Sequence, residues 1–230
     1  MGKNFSCNNV TKDINITGVG KVGKRDSTGK KTDFYETPYT LTSRFLDAEY
    51  FDKSLSVCEP ACGDGAITKI LNERWNKELI TSYDIRDKNK SNFLWEMDNY
   101  DYVITNPPYS LSLQFIQKAK SVATKKFAFL LPLSYLHGKK RYDEIYTDKK
   151  YGLEKVYIFT RYPMLGEPLR DDGKYTTGMM VYAWYVWTNG YGGQPMIDWL
   201  DNNEDILSKK EIKEETKILT DNLFNAILSS

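Results

Sequence analysis

The stretch SLSVCEPACGDGAITKILNERW, residues 54–75, carries the local pattern on which the fold prediction rests. It begins with a short apolar run, which is typical of a buried strand. Gly63 and Gly65 follow, and glycine adopts tight turns that other residues avoid. Apolar residues then recur at helical spacing, at Ile67, Ile70 and Leu71. The stretch therefore predicts a strand, a glycine turn and a helix.

The same alternation extends to both sides of this stretch. Helical spacing also appears before it, in TLTSRFLDAEYF (40–51), and after it, in SLSLQFIQKAKSVA (110–123). Predicted strands lie at ELITSYDI (78–85), YDYVIT (100–105), KFAFLLPLSYL (126–136), EKVYIFTRY (154–162) and MMVYAWYVW (179–187). Alternating strands and helices predict an α/β fold, a mostly parallel sheet flanked by helices. No helical pattern separates the last two strands, which favours an antiparallel pair at the sheet edge.

Composition limits the class of protein. With 230 residues, 40% hydrophobic and 27% charged, the chain is expected to form one large soluble domain. It has no long apolar run and no apolar core of a signal peptide at its start, so we expect an intracellular, cytoplasmic protein. The three cysteines are an odd number without paired spacing, which favours reduced thiols and indicates neither a disulfide framework nor a metal site.

The formal net charge is only +1, but the charges are unevenly distributed. Residues 1–31 contain seven basic side chains against two acidic ones, and we interpret them as a basic N-terminal arm or loop. Residues 198–230 contain eight acids against four lysines. We therefore interpret residues 191–230 as an acidic C-terminal tail, partly helical, and residues 32–190 as the central domain.

Polar residues and glycines stand at the ends of the first predicted strands. In an open parallel sheet, ligands bind outside the carboxyl ends of the strands. The backbone at Gly63 and Gly65 could approach a ligand closely, and the acid Asp84 at the end of the next strand could accept two ribose hydroxyls. This combination describes an adenosine pocket, but a plain tight turn and a solvated acidic strand end would give the same residues, so the pattern alone leaves both interpretations open.

The third strand ends in NPPY, residues 106–109. Two prolines explain why the strand stops, because proline has no N–H to donate to the ladder. They do not explain the flanking Asn106 and Tyr109.

Taken in order, YETP (35–38), EPACGDG (59–65), YDI (83–85), Asp98 and NPPY resemble the S-adenosylmethionine-dependent amino-methyltransferases, particularly the DNA adenine-N6 methyltransferases. The resemblance covers roughly residues 34–187 and implies a Rossmann-like methyltransferase fold with S-adenosylmethionine as cofactor. The small size is similar to that of phage-encoded or solitary methylases. The resemblance implies catalytic roles for Asn106, Pro107, Pro108 and Tyr109, and cofactor contacts for Tyr35, Thr37, Pro38, Glu59, Pro60, Ala61, Gly63, Gly65, Asp84, Ile85 and Asp98.

The chemistry of NPPY follows from the weak nucleophilicity of an adenine amine, whose lone pair is delocalised into the ring. The Asn106 side-chain oxygen and the Pro107 carbonyl can accept from the two N–H groups and turn the lone pair toward a methyl donor. Tyr109 offers a flat face for stacking. No strong general base is needed, so the single His137 receives no catalytic role.

A base in a duplex must be flipped out to reach such a pocket, and a second aromatic ring is expected to pack against its other face. Tyr157, Phe159 and Tyr162 are the candidates, and we favour Tyr162 because it ends its strand. Contacts with the nucleic-acid backbone are expected from Lys21, Lys24, Arg25, Lys30, Lys31, Arg170 and Lys174.

Three alternatives remain open at this point. The substrate could be RNA adenine, or the side-chain amide of a glutamine in a protein, since a second class of enzyme uses NPPY on that group. The chain could also bind the donor without turnover. Neither the oligomeric state nor the target sequence follows from the sequence.

Overall fold

The computed structural model describes residues 37–84, 92–160 and 181–201 and confirms the predicted α/β fold. Within those residues, seven strands form one sheet in the order β2-β1-β3-β4-β6-β5-β7. The strands are β1 (Val57–Glu59), β2 (Ile80–Ser82), β3 (Tyr100–Thr105), β4 (Ala123–Pro132), β5 (Tyr151–Phe159), β6 (Tyr182–Asn189) and β7 (Met196–Leu200). No helix of this part of the chain has both the length and the apolar composition that crossing a bilayer requires.

The order of the strands reverses at β1. β1 pairs in parallel with β2 on one side and with β3 on the other. The chain therefore adds β2 on one side of β1 and then crosses to the opposite side for β3. A crevice opens outside the carboxyl ends of the strands at such a point. The parallel part of the sheet therefore places the ends of β1, β2 and β3 side by side.

The predicted antiparallel pair is present, but it is not at the edge of the sheet. β6 runs antiparallel to both β4 and β5, and β7 pairs in parallel with the outer side of β5. β7 lies inside the segment that we interpreted as a tail. Its five residues, MIDWL, are mostly apolar although only Leu200 is buried, and an apolar run this short does not by itself identify a strand in sequence.

Helices cover both faces of the sheet. They are α1 (Tyr39–Ala48), α2 (Ala66–Arg74), α3 (Ser112–Val122) and the single turn α4 (Lys139–Arg141), which continues into a π-helical turn at Tyr142–Tyr146. Short 3₁₀ turns lie at Lys77–Leu79, Phe93–Trp95, Tyr109–Leu111 and Leu133–Leu136.

The central strand β4 contributes to two apolar clusters, one on each face. Phe127 and Phe129 belong to the cluster that contains residues of α3, whereas Ala128 and Leu130 belong to the cluster that contains residues of α1 and α2. A strand buried on both faces carries a nearly continuous apolar run, which is the pattern of KFAFLLPLSYL.

Helix α1 is fixed firmly to the sheet. Phe45 stacks on Trp184 of β6 with ring centroids 4.5 Å apart, and the Trp184 indole Nε1 donates to the Leu41 carbonyl at 3.3 Å. At the outer surface, Arg74 of α2 forms a 2.6 Å ion pair with Asp47. These contacts hold Thr37 and Pro38, which immediately precede α1, in a defined place.

Candidate functional site

One crevice lies at the carboxyl ends of β1, β2 and β3, and we call it the strand-end crevice. The empty space between its walls amounts to about 520 Å³ when the open solvent at its mouth is included. Its walls are Thr37, Glu59, Ala61, Cys62, Gly63, Asp64, Ala66, Ile67, Asp84, Asn106, Pro107, Pro108 and Tyr109.

The glycine turn forms one wall of the crevice. Gly63 and Gly65 have φ angles of +55° and +86°, in the left-handed region where a Cβ causes strain. The Gly65 N–H donates to the Cys62 carbonyl at 2.7 Å, and Gly65 precedes the first residue of α2. The turn therefore needs glycine at both positions to lead from β1 into α2 within a few residues.

Asp84 connects the end of β2 to this turn. Its carboxylate accepts the Gly63 N–H at 2.9 Å, and the Cys62 N–H donates to the Tyr83 carbonyl at 3.1 Å. The carboxylate consequently lies in the strand-end crevice, as expected of an acid that could accept ribose hydroxyls.

Glu59 is a buried carboxyl group in the same crevice. Only 1% of its surface is exposed, and the Thr68 hydroxyl donates a hydrogen bond to it. The pKa of Glu59 is raised to about 8, mainly by burial and to a smaller extent by the nearby Asp84 charge, against the opposing effect of the hydrogen bonds with Thr68. Glu59 is therefore mostly neutral at pH 7 in this environment.

Asn106 faces the crevice from the end of β3. Its side-chain Nδ2 donates to the Thr37 hydroxyl oxygen at 3.1 Å. Its Oδ1 is buried and, among the described residues, accepts no hydrogen bond. An unsatisfied buried acceptor costs about 1–3 kcal/mol, so its position at the crevice wall points to a ligand that donates.

The prolines of NPPY lead from β3 into the short turn Tyr109–Leu111. The Leu111 N–H donates to the Pro108 carbonyl at 2.9 Å, and the Ser112 hydroxyl donates to the same carbonyl at 3.4 Å. Proline restricts φ, so this connection holds Asn106 and Tyr109 rigidly at the crevice.

Tyr109 has an aromatic partner that the sequence analysis did not identify. Its ring stacks on Tyr182, the first residue of β6, with centroids 5.4 Å apart and planes inclined by 27°. Tyr157 and Phe159, two earlier candidates, are instead buried in the cluster of α1 and α2. Because β6 is antiparallel to its neighbours, it begins at the edge of the sheet where the parallel strands end. The antiparallel direction predicted for this strand was the signal that could have identified Tyr182.

The structure brings together most of the predicted residues that it describes. Those that line the crevice are Thr37, Glu59, Ala61, Gly63, Asp84, Asn106, Pro107, Pro108 and Tyr109. Pro60 is buried and Pro38 is partly buried, and neither lines the crevice. Gly65 lines an adjoining groove, and Asp98 is exposed with its N–H donating to Glu96. Tyr35, Ile85, Tyr162, Lys21, Lys24, Arg25, Lys30, Lys31, Arg170 and Lys174 lie outside the described residues.

Comparison with known proteins relates the chain to others through its structure. No protein-family model and no curated protein matches the sequence. A modification subunit of a putative type I restriction enzyme from Vibrio vulnificus matches with a TM-score of 0.51 and 15% identity over 73% of this chain and 46% of that one. A type I restriction-modification methyltransferase subunit from Streptococcus thermophilus matches with a TM-score of 0.48 and 13% identity, over 72% and 47%.

A magnesium protoporphyrin IX methyltransferase from Synechocystis with bound SAM is also similar, with a TM-score of 0.42 and 15% identity over 65% of this chain and 76% of that one. The chain spans about half the length of the two restriction-modification subunits. At 15% identity the likeness to the Vibrio vulnificus subunit concerns the fold alone, and the mostly parallel sheet flanked by helices is Rossmann-like.

Proposed function

We propose that this chain transfers a methyl group from S-adenosylmethionine to the exocyclic N6 amine of adenine in DNA. The observation that carries the proposal is the buried Asn106 Oδ1, an acceptor without a partner among the described residues at the wall of the strand-end crevice. A substrate amine would supply the missing N–H.

The residues of the crevice fit the proposed cofactor. The glycine turn would allow close approach of backbone N–H groups, and the Asp84 carboxylate, which accepts the Gly63 N–H, would also accept from a ribose hydroxyl. Glu59 adds a buried carboxyl group near the turn. When bound, S-adenosylmethionine supplies a methyl group already activated by its positively charged sulfur.

The chain itself would position the amine. Asn106 Oδ1 and the Pro107 carbonyl would accept the two N–H groups, which draws the nitrogen toward tetrahedral geometry and directs its lone pair into the crevice. The carbon–nitrogen bond would form as the carbon–sulfur bond breaks, and the displaced proton would leave to water. Catalysis by position and hydrogen bonding needs no strong base.

Tyr109 and Tyr182 would hold the flipped base between their rings. Each stacked layer occupies about 3.5 Å, so the ring planes would separate to about 7 Å to admit a base. Their present stacking therefore closes the slot until a base enters. Tyr162, which we favoured from the sequence, stays a prediction.

A nucleic-acid substrate agrees with the name of the Vibrio vulnificus protein, a modification subunit of a putative restriction enzyme. Phosphate contacts from Lys21, Lys24, Arg25, Lys30, Lys31, Arg170 and Lys174 stay part of the proposal. A duplex target would require base flipping.

The test is methyl transfer from labelled S-adenosylmethionine to duplex DNA, single-stranded DNA, RNA and a glutamine-containing peptide, followed by identification of the methylated product. We expect N6-methyladenine in DNA. Asn106→Ala should reduce the rate at least a hundredfold with donor affinity nearly unchanged, because one preorganised transition-state contact contributes about two to three orders of magnitude.

The matched control is Asn189→Ala. The Asn189 amide donates to the Thr124 carbonyl at 2.9 Å and does not line the crevice, so its loss should leave the rate unchanged. Label appearing only in RNA or only in the peptide would contradict the DNA assignment. An active Asn106→Ala variant would contradict the mechanism.

A further inference from the structure

The side chain of Asn106 has a donor and an acceptor on one planar group. Only one of its two orientations presents the acceptor Oδ1 to a substrate amine, because rotating the amide by 180° exchanges Oδ1 with Nδ2. Nδ2 donates to the Thr37 hydroxyl at 3.1 Å, and Oδ1, the other atom of the amide, is buried without a described partner.

We propose that Thr37 is a positioning residue, whose hydroxyl accepts the Asn106 Nδ2–H and thereby directs Oδ1 toward the strand-end crevice. The inference rests on the proposed function, because Asn106 Oδ1 is taken to accept an N–H of the substrate amine. It differs from the contact with the donor that the family resemblance implies for Thr37.

Thr37 is well placed to fix another side chain. Only 6% of its surface is exposed, and its β-branched side chain has few available rotamers. It is separated only by Pro38 from α1, whose Leu41 and Phe45 are completely buried against the sheet. The hydroxyl therefore reaches Asn106, 69 residues later in the chain, from a rigid base.

Thr37→Val tests this role, because valine keeps the shape and removes the hydroxyl. We expect kcat to fall about tenfold, because the Asn106 amide is no longer held in one orientation and its Nδ2 loses its hydrogen-bond acceptor. Donor affinity measured by calorimetry should stay within about twofold. Thr37→Ser keeps the hydroxyl and should recover most of the lost rate.

Thr42→Val is the matched control. Thr42 is completely buried in α1, the helix that follows Thr37; its hydroxyl has no described partner, and it does not line the crevice. We expect wild-type kcat and donor affinity for this variant. If Thr37→Val weakens donor binding and leaves kcat unchanged, Thr37 contacts the donor and the positioning role is wrong.

A second experiment exploits the symmetry of a carboxylate. Aspartate at position 106 presents two equivalent oxygens, so it needs no neighbour to choose its orientation. We expect Thr37→Val to cost less than about threefold in an Asn106→Asp background, against about tenfold in the native one. Equal losses in both backgrounds would overturn the proposal.

A third measurement does not depend on catalysis. The ¹⁵N–¹H₂ signals of the Asn106 side chain can be assigned by their absence from Asn106→Asp. In Thr37→Val both proton shifts should move and solvent exchange should accelerate about tenfold, as one hydrogen bond is lost. Thr42→Val should leave the signals in place.

These measurements distinguish a failure of the proposed function from a failure of the positioning role of Thr37. A wild-type chain that methylates no substrate contradicts the proposed function, while a Thr37-dependent change in the amide signals still supports the orientation of Asn106. Amide signals that do not respond to Thr37→Val contradict the positioning role, even in an active enzyme.

Discussion

Glu59 illustrates, at the scale of a single residue, how the fold changes the chemistry of a side chain. A glutamate in water has a pKa near 4.3. Burial in the strand-end crevice raises the pKa of Glu59 to about 8, and the charge of Asp84 acts in the same direction. The neutral form is therefore the one that the folded chain favours.

This shift predicts a pH-dependent stability. Below about pH 4.5 Glu59 is protonated in both the folded and unfolded chain, and its stabilising contribution is complete. As the pH rises toward about 8, the unfolded state ionises and the folded state does not, so stability is lost. Glu59→Gln should remove this pH-dependent loss of unfolding free energy, which amounts to about 3–5 kcal/mol.

Thermal unfolding from pH 5 to 8.5, without donor, measures the effect. The Tm of Glu59→Gln minus that of wild type should increase with pH, whereas Glu78→Gln, at an exposed position, should give a difference that does not change. A constant difference for Glu59→Gln would mean that this side chain is already ionised in the folded protein at neutral pH.

At the scale of elements, the direction of β6 decides which aromatic ring meets Tyr109. Every other strand pair in the described sheet is parallel, so those strands end at the carboxyl edge. β6 begins there, and Tyr182 is opposite Pro132, the last residue of β4. An aromatic ring at the last residue of β6 would lie at the opposite edge of the sheet, away from the strand-end crevice.

Tyr182→Ala should consequently lower kcat/KM for the methylated substrate by about tenfold or more, because base–aromatic stacking contributes about 1–3 kcal/mol. Tyr182→Phe should retain most activity, since the ring supplies the stacking. Steady-state rates and donor affinity are the measurements, and donor affinity should not change.

Tyr50→Ala is the control, because Tyr50 is 77% exposed and does not line the crevice. Tyr162→Ala tests the ring that we favoured from sequence. If Tyr162→Ala is impaired and Tyr182→Ala is not, the second stacking residue is Tyr162.

At the scale of the whole molecule, charge is balanced in total but not in distribution. The chain has 32 basic and 31 acidic residues, yet residues 1–31 hold seven basic residues against two acidic ones. A basic segment of this kind can contact phosphates that the nearly neutral whole would attract only weakly.

Deleting residues 1–31 should therefore reduce the salt dependence of DNA binding. Each phosphate contact contributes about 0.9 to the slope of log K against log salt, and we expect the loss of about two to four contacts. Binding titrations at several salt concentrations measure the slope, and donor affinity should change little.

A variant with glutamine at Lys21, Lys24, Arg25, Lys30 and Lys31 separates charge from chain length, and it should reproduce the deletion. An unchanged slope in both variants would exclude this segment as a source of phosphate contacts.

The sequence by itself determined the features that depend on neighbouring residues. The apolar run, the glycines and the helical spacing of residues 54–75 identify β1, the turn and α2, because backbone geometry and burial periodicity are local properties. Likewise, the prolines of NPPY mark the end of β3, and the ordered strand ends predict one shared crevice.

Only the tertiary structure decided the contacts between distant parts of the chain. It pairs Asn106 with Thr37, stacks Tyr109 on Tyr182 and adds β7 outside β5. None of these follows from local periodicity. Each depends on strand order, strand direction and burial, which arise only when separate elements pack together. Packing also decides which partner a polar group meets and how much free energy it costs to ionise a buried group.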